Sequence, residues 1–179
     1  MVCVVPRGGH GTGLAWALGM TDTAIRASTA DPDERIPLGV VLIHEDRPMD
    51  RWRVARWHVR GVVAGRAAAA GRRLLRCGDR SQQWLIGGLE LRLFRDEAEG
   101  YWFNLSGDRP RLFVICRPEP GGGMAPFLIT ADGEEAAAYE EGDDQVFPVP
   151  MPPEVYRQVE RYVLTHFRPR PKRKRRRVD

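Results

Sequence analysis

Apolar residues along this chain recur mostly every second position, the pattern of strands with one buried face. Pro37 to Glu45 reads as a first strand, apolar through Val40, Val41, Leu42 and Ile43. A polar turn over Glu45–Arg51 leads into a second strand from Trp52 to about Val63. Its apolar parity changes on the way: Trp52 and Val54 share one phase, whereas Trp57, Val59 and Val63 share the other. A period-two strand cannot turn both sets to one face without an extra residue, so a β-bulge or sharp bend is expected near Ala55–Arg56. Gly65–Gly71, with its run of alanines, is a loop or a single helical turn. Trp84–Arg95 is the clearest strand, with Leu85, Gly87, Leu89, Leu91 and Leu93 on one parity and Glu90 and Arg92 on the other. Its Gly87-Gly88 pair points to a bulge or a close backbone approach.

Asp96–Gly100 reads as a hairpin loop, after which Tyr101, Phe103 and Leu105 alternate in a returning strand. Ser106–Pro110 is a turn, and Arg111–Cys116 is apolar on both parities, as a central strand covered on two sides would be. The tight connections suggest an antiparallel meander. Phe127–Thr130 is a short strand, Asp132–Glu141 a short acidic helix ended by Gly142, and Gln145–Val149 is extended. A last helix, from about Pro152 to His166, carries Val155, Val159, Tyr162, Val163 and His166 as one stripe. The fold expected is α+β: a mostly antiparallel, bent sheet or partial barrel with a C-terminal helix packed on it. One domain over residues 36–167 is flanked by a loosely attached arm (1–35) and a basic tail (168–179), both read as disordered for want of any apolar period.

Charge sharpens this division. The whole chain of 179 residues carries +4, but residues 168–179 alone hold eight Lys or Arg against one Asp, leaving about −3 for the rest. The basic character therefore belongs to the tail, and the body is read as having no basic face or RNA-binding signature. Arginine supplies 26 of the 28 basic residues, a bias that coding in a GC-rich bacterium explains without phosphate recognition. A hydrophobic fraction of 42% and a charged fraction of 29% are those of an ordinary globular domain. Nothing approaches the roughly 18 consecutive apolar residues of a membrane span, and no secretory signal is legible, so a cytoplasmic protein with no membrane association is expected.

Candidate chemistry is sparse. His44 and His58 fall in adjacent strands near Glu45, Asp46 and Asp50, a set that suits acid–base work or a metal only if the side chains converge. Trp52 and Trp57 beside them are candidates for stacking on a ring system. No catalytic residue, metal ligand or cofactor motif is assigned: the glycines of Gly8–Gly13 lack the Lys-Ser/Thr of a phosphate loop, and the three cysteines do not have zinc spacing. In the tail, Arg168, Arg170, Lys172, Arg173, Lys174, Arg175, Arg176 and Arg177 are candidates for contact with an anion or an acidic partner. Nonspecific nucleic-acid binding is a weaker alternative function, and it would run through the tail alone. The acidic run from Glu134 to Asp144 reads as a solvated face.

Several segments together resemble one bacterial family: Ile36–Leu42, the tryptophan-rich second strand, Tyr101–Ile115, Pro126–Asp132, Val149–Val155 and the Pro-Lys-Arg tail. The chain is similar to domain of unknown function 3305, from roughly Arg35 onward. Members are commonly encoded beside formate dehydrogenase genes, and some carry the label molybdopterin-guanine dinucleotide biosynthesis protein A. The resemblance implies a non-catalytic accessory protein in maturation of a molybdenum-dependent formate dehydrogenase, touching an enzyme subunit or another accessory factor. The alternative it leaves is a small cofactor-binding protein or enzyme of molybdopterin-guanine dinucleotide biosynthesis.

Overall fold

A computed structural model describes residues 32–49 and 52–168. The arm before residue 32 and the tail beyond 168 lie outside the described residues. Seven strands form one sheet: β1 (Glu34–Met49), β2 (Trp52–Ala64), β3 (Gly71–Cys77), β4 (Ser81–Leu93), β5 (Arg111–Glu119), β6 (Gly123–Thr130) and β7 (Gln145–Pro150). Three helices accompany it: α1 (Ala98–Leu105), α2 (Gly133–Glu140) and α3 (Pro153–His166). The strand order is β2-β1-β4-β6-β5-β7, with β3 on the second edge of β4. Pairing is antiparallel except between β4 and β6, which run parallel and meet at Leu91 and Ile129. β7 curls back against β2, so the sheet is nearly closed and barrel-like. The fold is α+β, as the strand-rich pattern with a closing helix implied.

Leu38, Val40, Leu42, Leu91, Leu93, Leu112, Val114 and Ile129 line the inner face and are essentially inaccessible. α3 adds Val155, Val159, Tyr162 and Val163 to the same core, the stripe read from the sequence. Burial at roughly 25 cal/mol per Å2 of apolar surface makes this cluster the main source of stability. Polar ties fix α3 against the start of β1: the Tyr162 hydroxyl donates to Asp33 at 2.8 Å, and Arg161 meets Glu34 at 2.8 Å. β1 thus begins at Glu34, ahead of the expected Pro37 and inside the expected arm.

Central placement of β5 holds. It lies between β6 and β7, with Leu112, Val114 and Cys116 in the inner core and Ile115 buried on the other face. Burial pushes the Cys116 thiol up to about 12, as suits an inert core residue.

Two expectations change, and one strand is added where no element was expected. The bulge of β2 lies at Arg60, because Val41 pairs with Gly61 and Leu42 with Val59. Trp57 and Val59 therefore share the inner face with Val62 and Ala64, and pairing runs in register through the Ala55–Arg56 step. Gly71–Cys77 is the added strand; its arginines conceal a mostly exposed strand that pairs, among the described residues, only with β4. The second change is that Tyr101–Leu105 lies in α1. Tyr101 is fully buried while Phe103 is 62% exposed, which one face of a strand cannot produce. Ala98, Tyr101, Trp102 and Leu105 turn to the core at helical spacing. The connection is not a meander, since β6 lies between β4 and β5 and the chain must step over its position.

The Gly65–Gly71 segment forms a single 3-10 turn over Gly65–Ala68, with Ala68 buried. Gly87 lets it approach, since a Cβ there would lie 1.8 Å from the Ala69 carbonyl oxygen. The expected close approach is therefore present, and the β1–β4 register shifts beside it, between Leu38 and Val40.

Candidate functional site

His44 and His58 do not converge. His44 pairs with Trp57 across β1 and β2, while His58 pairs with Ile43, one register row away. Successive strand residues point to opposite faces, so the two imidazoles lie on opposite sides of the sheet. The His44 ring packs on Trp57 with centroids 4.5 Å apart, and its Nε2 lies 3.8 Å from an Asp46 oxygen. Trp57 is partly buried against the core and donates from Nε1 to the Gly122 carbonyl at 2.9 Å, tying β2 to the β5–β6 turn. These contacts make it a structural side chain. Trp52 opens β2 opposite Met49; its side chain lies outside the described residues. Among the described residues, no group of three His, Cys, Asp or Glu side chains is placed to hold a metal.

A cluster that sequence reading missed lies at the α1–α2 corner. The buried Tyr101 hydroxyl donates to Glu97 Oε2 at 2.5 Å and accepts from the Phe94 amide at 3.2 Å. Burial chiefly raises Glu97 to about 7, with Glu135, Asp132 and Asp96 adding repulsion and the Tyr101 hydrogen bond opposing it. Glu135 is raised too, mainly by burial. Asp132 caps α2 by accepting from the Glu134 amide at 2.8 Å, and a Cβ on Gly100 would lie 2.5 Å from its carboxylate. The acidic run is therefore not one solvated face: Glu135 packs inward, and Asp144 holds Arg117 through two bonds of 2.8 Å. The only signal available was the tyrosine four residues after Glu97, a spacing meaningful only if the segment is helical.

A group that titrates near neutrality here affects stability. Its folded pKa, about 7, exceeds the ordinary 4.5, so its contribution is complete below pH 4.5 and lost as pH rises through 7. Glu97→Gln is expected to relieve that loss. Discounted for solvent screening, the gain over the parent should be about 1–2 kcal/mol larger at pH 8 than at pH 5. Urea melts at both pH values check this, and an equal difference at the two would assign the effect elsewhere.

An aromatic surface forms where α1 meets the end of α3. Trp102 packs against Phe103, centroids 5.0 Å apart, and against Phe167 at 5.5 Å. Phe103 stays 62% exposed, and exposed Arg168 follows directly. The other tail candidates, Arg170, Lys172, Arg173, Lys174, Arg175, Arg176 and Arg177, lie outside the described residues.

Residues 37–176, most of the chain, match the family described as protein of unknown function (DUF3305). The chain belongs to that family. No curated protein and no solved structure matches it. In this DUF3305 chain, three of the segments that carried the resemblance, Tyr101–Ile115, Pro126–Asp132 and Val149–Val155, meet at one corner of the fold. Asn104 in α1 donates from Nδ2 to the carbonyls of Arg111 and Ala131, each at 2.7 Å, and accepts from the Arg111 amide at 3.0 Å. The Met151 amide donates to the Pro110 carbonyl at 3.1 Å, joining the β7–α3 link to the same corner. These hydrogen bonds clamp that corner of the fold. Among the described residues of this DUF3305 member, no helix is long and apolar enough to cross a membrane.

The arginines of the body also depart from expectation. Arg73 pairs with Leu85, and the register shift between Leu74 and Arg76 leaves Leu75 unpaired and sets Arg76 opposite Gln83. Arg73 and Arg76 consequently share one face, which regular alternation would have denied them. The 3-10 turn adds Arg66 beside Arg73, around a hollow of about 170 Å3. A basic face exists on the body of the DUF3305 protein.

Proposed function

We propose that this protein is a non-catalytic accessory factor in maturation of a molybdenum-dependent formate dehydrogenase. It acts in the cytoplasm by contact with an enzyme subunit or another accessory factor. Family kinship supplies the enzyme system, through the formate dehydrogenase genes beside which members are commonly encoded. The observation that carries contact as the mode of action is the Trp102–Phe103–Phe167 surface, whose exposed aromatic is flanked by the root of a basic tail. Aromatic anchors beside arginine are the residue types that dominate protein interfaces, and a partner with an apolar pocket rimmed by carboxylates would complement them.

Deleting the gene in the native bacterium is expected to lower both formate dehydrogenase activity and the molybdenum content of that enzyme several-fold. Unchanged values would sink the reading. Phe103→Ser is expected to cost under about 1 kcal/mol, since the side chain is exposed, yet to abolish co-purification of the partner with full-length protein. The rival, a cofactor-binding protein or enzyme of molybdopterin-guanine dinucleotide biosynthesis, draws no support from the His44–His58 region, where the two rings lie on opposite faces.

A further inference from the structure

We infer that the hollow between β3 and the Gly65–Ala68 turn is an anion site that takes the phosphate or pyrophosphate group of a phosphorylated small molecule. The inference is independent of the accessory-factor reading and rests on a different surface. The hollow holds about 170 Å3 and is lined by Arg66, Ala69, Ala70, Gly71, Arg72, Arg73 and Leu85, with no carboxylate among these described residues. Its floor, Leu85, is buried, and Arg73 lies opposite Leu85 and on its face. Arg66 reaches the same hollow because the chain doubles back through Gly71, whose φ of +123° suits glycine and strains other residues. Arg72 points to the other face, where its guanidinium lies 4.4 Å over the Trp84 ring. That contact braces the strand from behind.

No ion pair of the described residues includes Arg66, Arg73 or Arg76. Arg66 and Arg73 meet at the hollow with no carboxylate among its described lining residues, so their like charges repel, and an anion seated between them would relieve that repulsion. Guanidinium forks match phosphate oxygens in two parallel, charge-assisted bonds, which a chloride ion cannot accept in the same geometry. The small, half-enclosed volume suits a compact phosphate group better than a polymer laid across the surface. The apolar floor gives the rest of the ligand a place to lie.

Isothermal titration of the full-length protein with inorganic pyrophosphate tests the site. Binding is expected, weakening as salt rises. Arg66→Gln and Arg73→Gln should each lower affinity by about 10-fold or more, the low end of one charge-assisted contact. Arg157→Gln, an exposed arginine on α3, and truncation after Arg168 should leave affinity within about 2-fold, since the described lining of the hollow is supplied by residues 66–73 and Leu85. Thermal melts of the exposed-site variants confirm that they stay folded. Three results would overturn the assignment: no binding at about 10 mM pyrophosphate in low salt, equal weakening by Arg157→Gln, or loss only on tail truncation. A single-stranded oligonucleotide that binds through Arg66 and Arg73 while pyrophosphate does not would make the face a nucleic-acid surface and equally overturn it. None of these outcomes depends on formate dehydrogenase activity, so the two proposals fail separately.

Discussion

Leu91→Asp is expected to abolish cooperative unfolding. Leu91 is wholly buried at the joint of three strands, opposite Ile36 of β1 and Ile129 of β6, which are themselves 2% and 1% exposed. Removing the leucine forfeits about 1.5–3 kcal/mol of burial. Placing a carboxylate there adds several kcal/mol more, because the group must either stay charged in an apolar site or take up a proton. A domain whose whole stability is about 5–15 kcal/mol does not survive such a sum comfortably. The site is also where the two halves of the sheet meet, since the β4–β6 contact has a single register pair. A melt followed by circular dichroism should lose its sigmoid or fall by more than about 15 °C. Leu164→Asp provides the contrast: that leucine is 75% exposed on the outer side of α3, and its replacement should move stability by under about 0.5 kcal/mol. Similar outcomes for the two would refute the placement of β4.

Gly87→Ala carries the second large effect, from a single methyl group. The added Cβ would lie 1.8 Å from the Ala69 carbonyl oxygen, 2.7 Å from its carbon and 2.9 Å from the Ala68 oxygen. All three are backbone atoms of the turn that covers Leu85, so no side-chain rotation relieves the clash. The turn must lift off β4, uncovering Leu85, Val41 and Ala68. Overpacking of this kind costs about 1–3 kcal/mol and sometimes more, and a drop in Tm of about 5–10 °C is expected for a chain of this size. Gly61→Ala, where nothing lies within 4 Å of the new atom, should be near neutral. Because the same turn carries Arg66, the Gly87 variant should also lose affinity for pyrophosphate, while Gly61→Ala keeps it.

Much of the barrel was legible in the chain. Strands β1, β4 and β5 and helix α3 were readable because each buries one regular face or two, and burial imposes a period that survives without knowledge of neighbours. Gly87-Gly88 announced a close approach for a similar reason: few other circumstances favour two adjacent glycines inside a strand. The candidate His44–His58 site was less legible. Side chains one register row apart look adjacent in sequence, but only pairing reveals that they emerge on opposite faces.

What the sequence by itself determined is therefore the alternation of buried and exposed positions in the long strands, the amphipathic stripe of α3, and membership of a family recognisable by its strand and turn segments. The tertiary structure alone decided the rest. Tyr101 fits a strand or a helix by local preference, and it is helical because β6 occupies the place beside β4, leaving α1 to span the gap and lodge the tyrosine hydroxyl between Glu97 and the Phe94 amide. Glu97 rises to about 7 only because that packing removes it from water. Arg66, Arg73 and Arg76 become one basic face only because a tight turn and an unpaired Leu75 rotate them together. In each case the deciding quantity is the position of a distant segment, which no local period encodes.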